Sequence, residues 1–228
     1  MKRLLVSLLL MLAFSPIFSQ KWGGFANFTL GLPQNEYKSL NDRTGIGFRG
    51  GVLYRPQKDL PISFGFEAGY LSLGREVLPS NSSGFWSPYS AYRVVAGVNV
   101  VSLNASLRIQ SPNNASVKPF IEGLVGWNNF YGTVSTEGRR LFDFEWERII
   151  QESTKGDWAL SYGGAAGLDA RIDKSGHLWL EFRVRYMKGR QARYYTDPII
   201  SGNGSVTYVE KSSTTDLLFP QIGLKFGL

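Results

Sequence analysis

From Trp22 onward, apolar and polar residues alternate with a period of two. The stretch 158–172 sorts most cleanly. Trp158, Leu160, Tyr162, Ala166, Leu168, Ala170 and Ile172 share one face with Gly164, and the other carries Ala159, Ser161, Gly163, Ala165, Gly167, Asp169 and Arg171. Next, Leu178, Leu180, Phe182, Val184 and Tyr186 alternate with Trp179, Glu181, Arg183 and Arg185. A helix would scatter these residues around its circumference, whereas a strand separates them. The same alternation predicts eight strands near 22–32, 44–55, 61–74, 91–110, 117–131, 158–172, 177–192 and 214–228. Most reach the roughly 9–11 residues that a tilted membrane-crossing strand needs, against about 5–6 for a globular strand. The gaps alternate in size: 56–60, 111–116 and 173–176 are short and rich in turn formers, while 33–43, 75–90, 132–157 and 193–213 are long and polar. Short turns at one end and long loops at the other predict an all-β fold, an antiparallel up-and-down transmembrane barrel.

The N-terminus follows a different rule. Lys2 and Arg3 precede an apolar run from Leu4 to Phe14 broken only by Ser7, which is a charged region followed by a hydrophobic segment of secretory length. Ile17 and Ser19 suit the −3 and −1 positions of a peptidase site. The expectation is a signal peptide over 1–19, cleaved before Gln20, and a barrel domain over 20–228. Loss of Lys2 and Arg3 takes the net charge from +7 to +5. No other stretch approaches the 18 apolar residues of a membrane helix.

Cost decides which face meets lipid. Facing Arg183 and Arg185 outward would cost about 2–4 kcal/mol each near the bilayer midplane, so the apolar face points out. The polar face then lines the lumen, and its charged residues are expected to neutralise one another there: Arg49, Glu67, Arg108, Glu122, Asp169, Arg171, Glu181, Arg183, Arg185 and Lys225. Glycines crowd this face, including Gly47, Gly51, Gly69, Gly126, Gly163, Gly167 and Gly223. Glycine weakens a strand, but it leaves room for long side chains in a narrow lumen. Eight strands enclose a lumen that side chains can fill, so a blocked interior is predicted. Aromatics near strand ends (Trp22, Phe25, Tyr54, Tyr92, Trp127, Phe130, Tyr131, Trp158, Tyr186, Tyr194 and Tyr195) are expected to form interfacial girdles.

The last eight residues, Gln221-Ile222-Gly223-Leu224-Lys225-Phe226-Gly227-Leu228, resemble the terminal signal read by the outer-membrane barrel-assembly machinery, with Gln221, Gly223, Phe226 and Leu228 at its key positions. Leu228 departs from the commoner terminal Phe. Taken whole, the chain is similar to the small outer-membrane barrels, the OmpA/OmpX-type transmembrane domains and the PorT-like barrels. The resemblance implies an integral outer-membrane protein that meets the assembly machinery during biogenesis. It also implies a structural, adhesive or accessory role through extracellular loops. With the last strand at the C-terminus, no peptidoglycan-binding domain is expected.

Composition narrows the chemistry. The chain has no Cys and one His, which removes disulfides, thiolate chemistry and His-rich metal centres; no metal or cofactor is expected. His177 beside Ser175 is the only nucleophile-and-base candidate, and it falls in a short turn on the periplasmic side, away from where acyl-chain enzymes of this size work. Glu67, Glu122, Asp169 and Glu181 could form a glycosidase-like pair, but arginines on the same face favour a structural network. Dispersed bases argue against nucleic acid as a partner. Lys188, Arg190, Arg193, Arg139 and Arg140 near the outer rim suit outer-membrane lipids and anionic lipopolysaccharide instead. Phe142, Phe144 and Trp146 alternate with acids inside 132–157; this predicts either a projecting hairpin open to an envelope protein partner or an extended strand capping the barrel. A second hairpin is expected around Ser201–Gly204, and membrane insertion of both would give ten strands. The rival functions are a narrow solute channel, a lipid-A-modifying enzyme and a soluble lipocalin-like carrier.

Overall fold

The computed structural model describes residues 21–227 except 58, 81–88, 112–114, 141–144, 154–155, 174–175 and 201–205. The expected signal peptide and Leu228 lie outside the described residues. Eleven strands follow in order: β1 (Trp22–Pro33), β2 (Gly45–Tyr54), β3 (Ile62–Ser80), β4 (Tyr89–Gln110), β5 (Val117–Arg140), β6 (Glu147–Ser153), β7 (Asp157–Arg171), β8 (Leu178–Gly189), β9 (Gln191–Ile200), β10 (Val206–Thr214) and β11 (Leu217–Gly227). One short helix, α1 (Asn35–Leu40), lies between β1 and β2.

Eight of these strands close a ring. The order is β4-β3-β2-β1-β11-β8-β7-β5, with β5 returning to pair with β4. All pairs are antiparallel, and β1 meets β11 through a register that runs from Gly23 opposite Gly227 to Pro33 opposite Leu217. A closed ring leaves no unpaired backbone edge, the condition for a sheet to cross hydrocarbon. The three remaining strands lie outside the ring. β6 pairs with the upper part of β5, and β9 and β10 form a separate two-stranded sheet. The ten-stranded alternative is therefore incorrect. β6, β9 and β10 belong to the long-loop end, where they extend the wall instead of widening it.

The predicted strand bounds need one systematic revision. β3 and β5 run 19 and 24 residues, well past the 61–74 and 117–131 read from periodicity, while β4, at 22 residues, starts only two residues before the expected 91–110. The added part of β5 is Gly-Thr-Val-Ser-Thr-Glu-Gly-Arg-Arg, polar on both faces. A strand above the bilayer needs no greasy side, so the period-two signal fades there. Of the strand alternation expected at Phe142–Trp146, 141–144 lie outside the described residues, Glu145 and Trp146 are not in a strand, and β5 pairs with β6, which begins at Glu147.

The ring is inside-out relative to a soluble protein. Phe48, Phe66, Ile121 and Trp127 are 55–66% exposed on the outer wall, while Arg108, Glu181 and Arg185 are fully buried within. Several luminal glycines are dictated by strand approach. A Cβ at Gly47 would sit 2.0 Å from the Tyr70 carbonyl oxygen, and one at Gly163 2.0 Å from that of Tyr186. Gly69 does leave room for a long side chain, that of Arg49, and Gly51 and Gly167 make space for the rings of Phe25 and Phe120.

Candidate functional site

The lumen is filled in layers. At the short-turn end, Trp179 is buried and donates its indole N–H to the Gly176 carbonyl at 3.0 Å. Lys118 and Arg171 lie over its ring at 4.6 and 5.1 Å from the centroid. Above it, Asp169 accepts from Lys225 Nζ and Gln110 Nε2, each at 2.6 Å. Arg108 comes next, its guanidinium 3.9 Å from the Phe120 centroid, paired with Glu122 and within 2.8 Å of Glu181. Glu181 also accepts from Asn27 at 2.6 Å. At mid-height Glu67 on β3 meets Arg183 at 2.7 Å and Arg185 through both of its terminal nitrogens. Asn104 adds a 3.1 Å donor and Arg49 a 3.5 Å contact. In the ring order β3 and β8 are diametrically opposite, so this pair braces the barrel across its full width.

Four carboxylates thus face five cations in a buried space. Isolated charges could not remain there, because the desolvation cost is several kcal/mol per ion unless partners replace water. Charge-assisted and bidentate geometry supplies that replacement. Above the ionic layers the lumen changes character. Phe219, Met187, Leu217, Leu71 and Phe130 form an apolar plug, and Tyr37 of α1 closes it, edge-on to Phe130 at 5.9 Å. Arg49 bridges the two zones, its guanidinium 4.4 Å from the Phe219 centroid. Among the described residues, no group of three or more His, Cys, Asp or Glu side chains could hold a metal.

No family model and no curated protein matches the chain. Solved structures do. Neisserial surface protein A aligns with a TM-score of 0.50 at 12% identity, over 91% of this chain and 96% of that one. The fold is that of the small outer-membrane β-barrels. Outer membrane protein OprG of Pseudomonas aeruginosa aligns at 0.45 and 13% identity, covering 91% and 96% of the two chains. Ail, the attachment invasion locus protein of Yersinia pestis, solved with the heparin analogue sucrose octasulfate, aligns at 0.42 and 12%, covering 90% and 95%.

Within this barrel, nine of the ten luminal charges named from sequence converge. Arg171 does not join them. It stays at the turn-end mouth, where it covers Trp179 and donates to the Ala115 carbonyl at 3.4 Å. The girdle expectation also needs correction at two positions, since Phe25 and Phe130 are buried in the lumen. Trp22, Tyr54, Trp127, Trp158 and Tyr186 sit on the wall, and Trp22 packs on Tyr54 at 4.7 Å. His177 is exposed beside the short turn, and Ser175 lies outside the described residues. Asp173 holds that turn by accepting from the backbone N–H of His177 and Leu178.

Of the rim residues, Phe142 and Phe144 lie outside the described residues, whereas Trp146 is half-buried beneath Arg93 and Arg139 at 4.1 and 5.4 Å. Arg139, Lys188, Arg190 and Arg193 are exposed, and the side chain of Arg140 lies outside the described residues. In the terminal strand, Gln221 points inward near Thr29 and Phe226 points outward against Gly24. A Cβ at Gly223 would collide with β1 at Ala26 and Asn27. Sequence reasoning missed the neutral members of the network, Asn27, Asn104 and Gln110. The last two share the face of Arg108, so parity alone could have found them.

Proposed function

We propose that this chain is an integral outer-membrane protein, exported by a cleaved signal peptide, whose barrel is a sealed, non-enzymatic scaffold for its extracellular strands. Its role is structural, adhesive or accessory to an envelope machine. The observation that carries this reading is the lumen itself: ion pairs cross it from wall to wall and an apolar plug lies above them. A passage for solutes would have to break both. The elaborated end supports the same view, because β5, β6, β9 and β10 extend there while the opposite end has short turns. We include lipopolysaccharide and the barrel-assembly machinery as partners, the first through the exposed rim bases and the second through Gln221, Gly223, Phe226 and Leu228.

The test is electrical and topological. Refolded mature protein in planar bilayers should pass no stable unitary current, and protease added to intact cells should cut within 190–216. A reproducible conductance would replace this reading with the narrow-channel one. Recovery of the protein from periplasm without detergent would replace it with a soluble carrier.

A further inference from the structure

The outer wall carries one feature that a lipid-facing surface does not need. A cleft of about 500 Å³ opens over β3, β4 and β5 and is reached by Arg148 of β6; Tyr70, Asn99, Tyr131, Thr133, Ser135 and Arg148 line it. These residues continue the outward face of Phe66 and Trp127, not the lumen. Val98 and Val100, their neighbours on β4, pack inward against the apolar plug. Height follows from strand length. β5 enters at Val117, and about 11 residues, to Trp127, cross the hydrocarbon. Tyr131 to Ser135 are the next residues up, at the headgroup level of the outer leaflet.

The cleft is built, not incidental. The Tyr70 hydroxyl donates to Asn99 Oδ1 at 2.7 Å, and Asn99 Nδ2 donates to Thr133 Oγ1 at 3.0 Å. Asn99 is 5% exposed, so its orientation is fixed. Gly97 forms the floor, where a side chain would press on Thr133. A preformed concavity of a few hundred cubic ångströms with convergent polar groups is the usual form of a small-ligand site. Among the described residues lining it, Arg148 is the one charged side chain, which favours an anion. Hydroxyls and an amide suit sugar hydroxyls; the guanidinium suits phosphate.

We propose that this cleft binds the phosphorylated saccharide headgroup of an outer-leaflet glycolipid. The inference rests on the outer-membrane reading above. A phosphoglycerolipid lacks the sugar that the tyrosines, Asn99 and Thr133 would engage. A soluble saccharide would gain nothing from a site on the lipid-facing wall.

The test uses the mature protein in mild detergent and fluorescent lipopolysaccharide trimmed to lipid A and phosphorylated inner core. Arg148→Glu and Asn99→Leu should each weaken binding roughly tenfold or more, the loss expected for one charge-assisted or buried hydrogen bond. His177→Ala, exposed at the opposite, short-turn end of the barrel, should bind as wild type. Phosphatase treatment of the probe should reproduce the Arg148→Glu loss. Wild-type affinity in both cleft variants, or an undiminished signal after phosphatase, overturns the proposal. So does equal displacement by phosphatidylglycerol vesicles, which would indicate a general anionic surface. Equal displacement by free core oligosaccharide would indicate a soluble ligand and equally overturn it. Heat-dependent gel mobility is read on every sample. A folded barrel that does not bind removes this site alone, whereas a chain that never shows barrel mobility removes the outer-membrane reading beneath it.

Discussion

Glu67 accepts from two arginines on the opposite wall and from Asn104 on its neighbour, so its removal would leave Arg183 and Arg185 buried without their shared anion. Breaking a buried pair from one side costs about 3–5 kcal/mol, because the surviving charges lose compensation without regaining water. Glu67→Ala should lower stability by that order, read as a lower urea midpoint for loss of the heat-modifiable band. Arg193→Ala is the matched control. Its 3.7 Å partner Glu210 is half exposed and Arg193 is more so, and such solvated pairs contribute about 0–1 kcal/mol. The glycines give a second residue-scale contrast. Gly47→Ala would force a Cβ onto the Tyr70 carbonyl, and only separation of β2 from β3 relieves it, costing about 1–3 kcal/mol. Gly123→Ala meets nothing within 4 Å and should refold as wild type in the same assay. At this scale the sequence was legible for charge but not for contact. Parity put Arg and Glu on one face, yet it could not say that Glu67 would find β8 instead of its own neighbour, since that partnership depends on ring closure 116 residues later.

α1 is the element that periodicity could not announce, because six residues give less than two turns of pattern. Its entry is set by Asn35, which takes a φ of 51°, a left-handed conformation that Asn tolerates better than most residues. Asp216 then latches it, accepting from Asn35 Nδ2 at 2.7 Å, the Tyr186 hydroxyl at 3.2 Å and the Gly189 backbone N–H at 3.2 Å. Glu36 adds a second tie to Thr214. With these holds in place Tyr37 stays seated on Phe130. Asp216→Ala should therefore loosen the lid while leaving the ring intact. Limited proteolysis should cut at 34–44 several times faster, with unchanged gel mobility of the uncut barrel; unchanged cleavage would show that apolar contact of Tyr37 alone holds the lid. The long strands give the complementary lesson. β1, β2, β7, β8 and β11 were readable within a few residues because lipid on one side and packed charges on the other enforce alternation along nearly their whole length. β3 and β5 were readable only up to the membrane surface, and Thr133 of the cleft lies just past the readable part of β5, whereas β4 was readable to within two residues of its start.

At the scale of the molecule, the ring, the outward apolar belt and the inward charges are one arrangement with one cause. A soluble barrel with the same strands would bury Phe66 and Ile121 and hydrate Arg185; here Ile121 is 59% exposed and Arg185 fully buried. Hydrocarbon outside makes a quantitative demand that water would not, and the demand varies with depth. Arginine on the outer face costs about 2–4 kcal/mol at the bilayer midplane and about 0–1 kcal/mol near its surface. Ile121 is the fifth residue of β5, near the centre of an 11-residue crossing, and Trp127 marks its upper end. Ile121→Arg should therefore destabilise the protein in phospholipid vesicles by about 2–4 kcal/mol, and Trp127→Arg by distinctly less, beyond what is lost in ring packing. In short-chain detergent, which adapts its shape around a charge, the gap between the two should shrink. If both substitutions cost the same in vesicles and in detergent, the wall is not reading depth and hydrocarbon does not surround it. If the gradient appears, the alternation that begins at Trp22 has been measured as the thickness of a membrane.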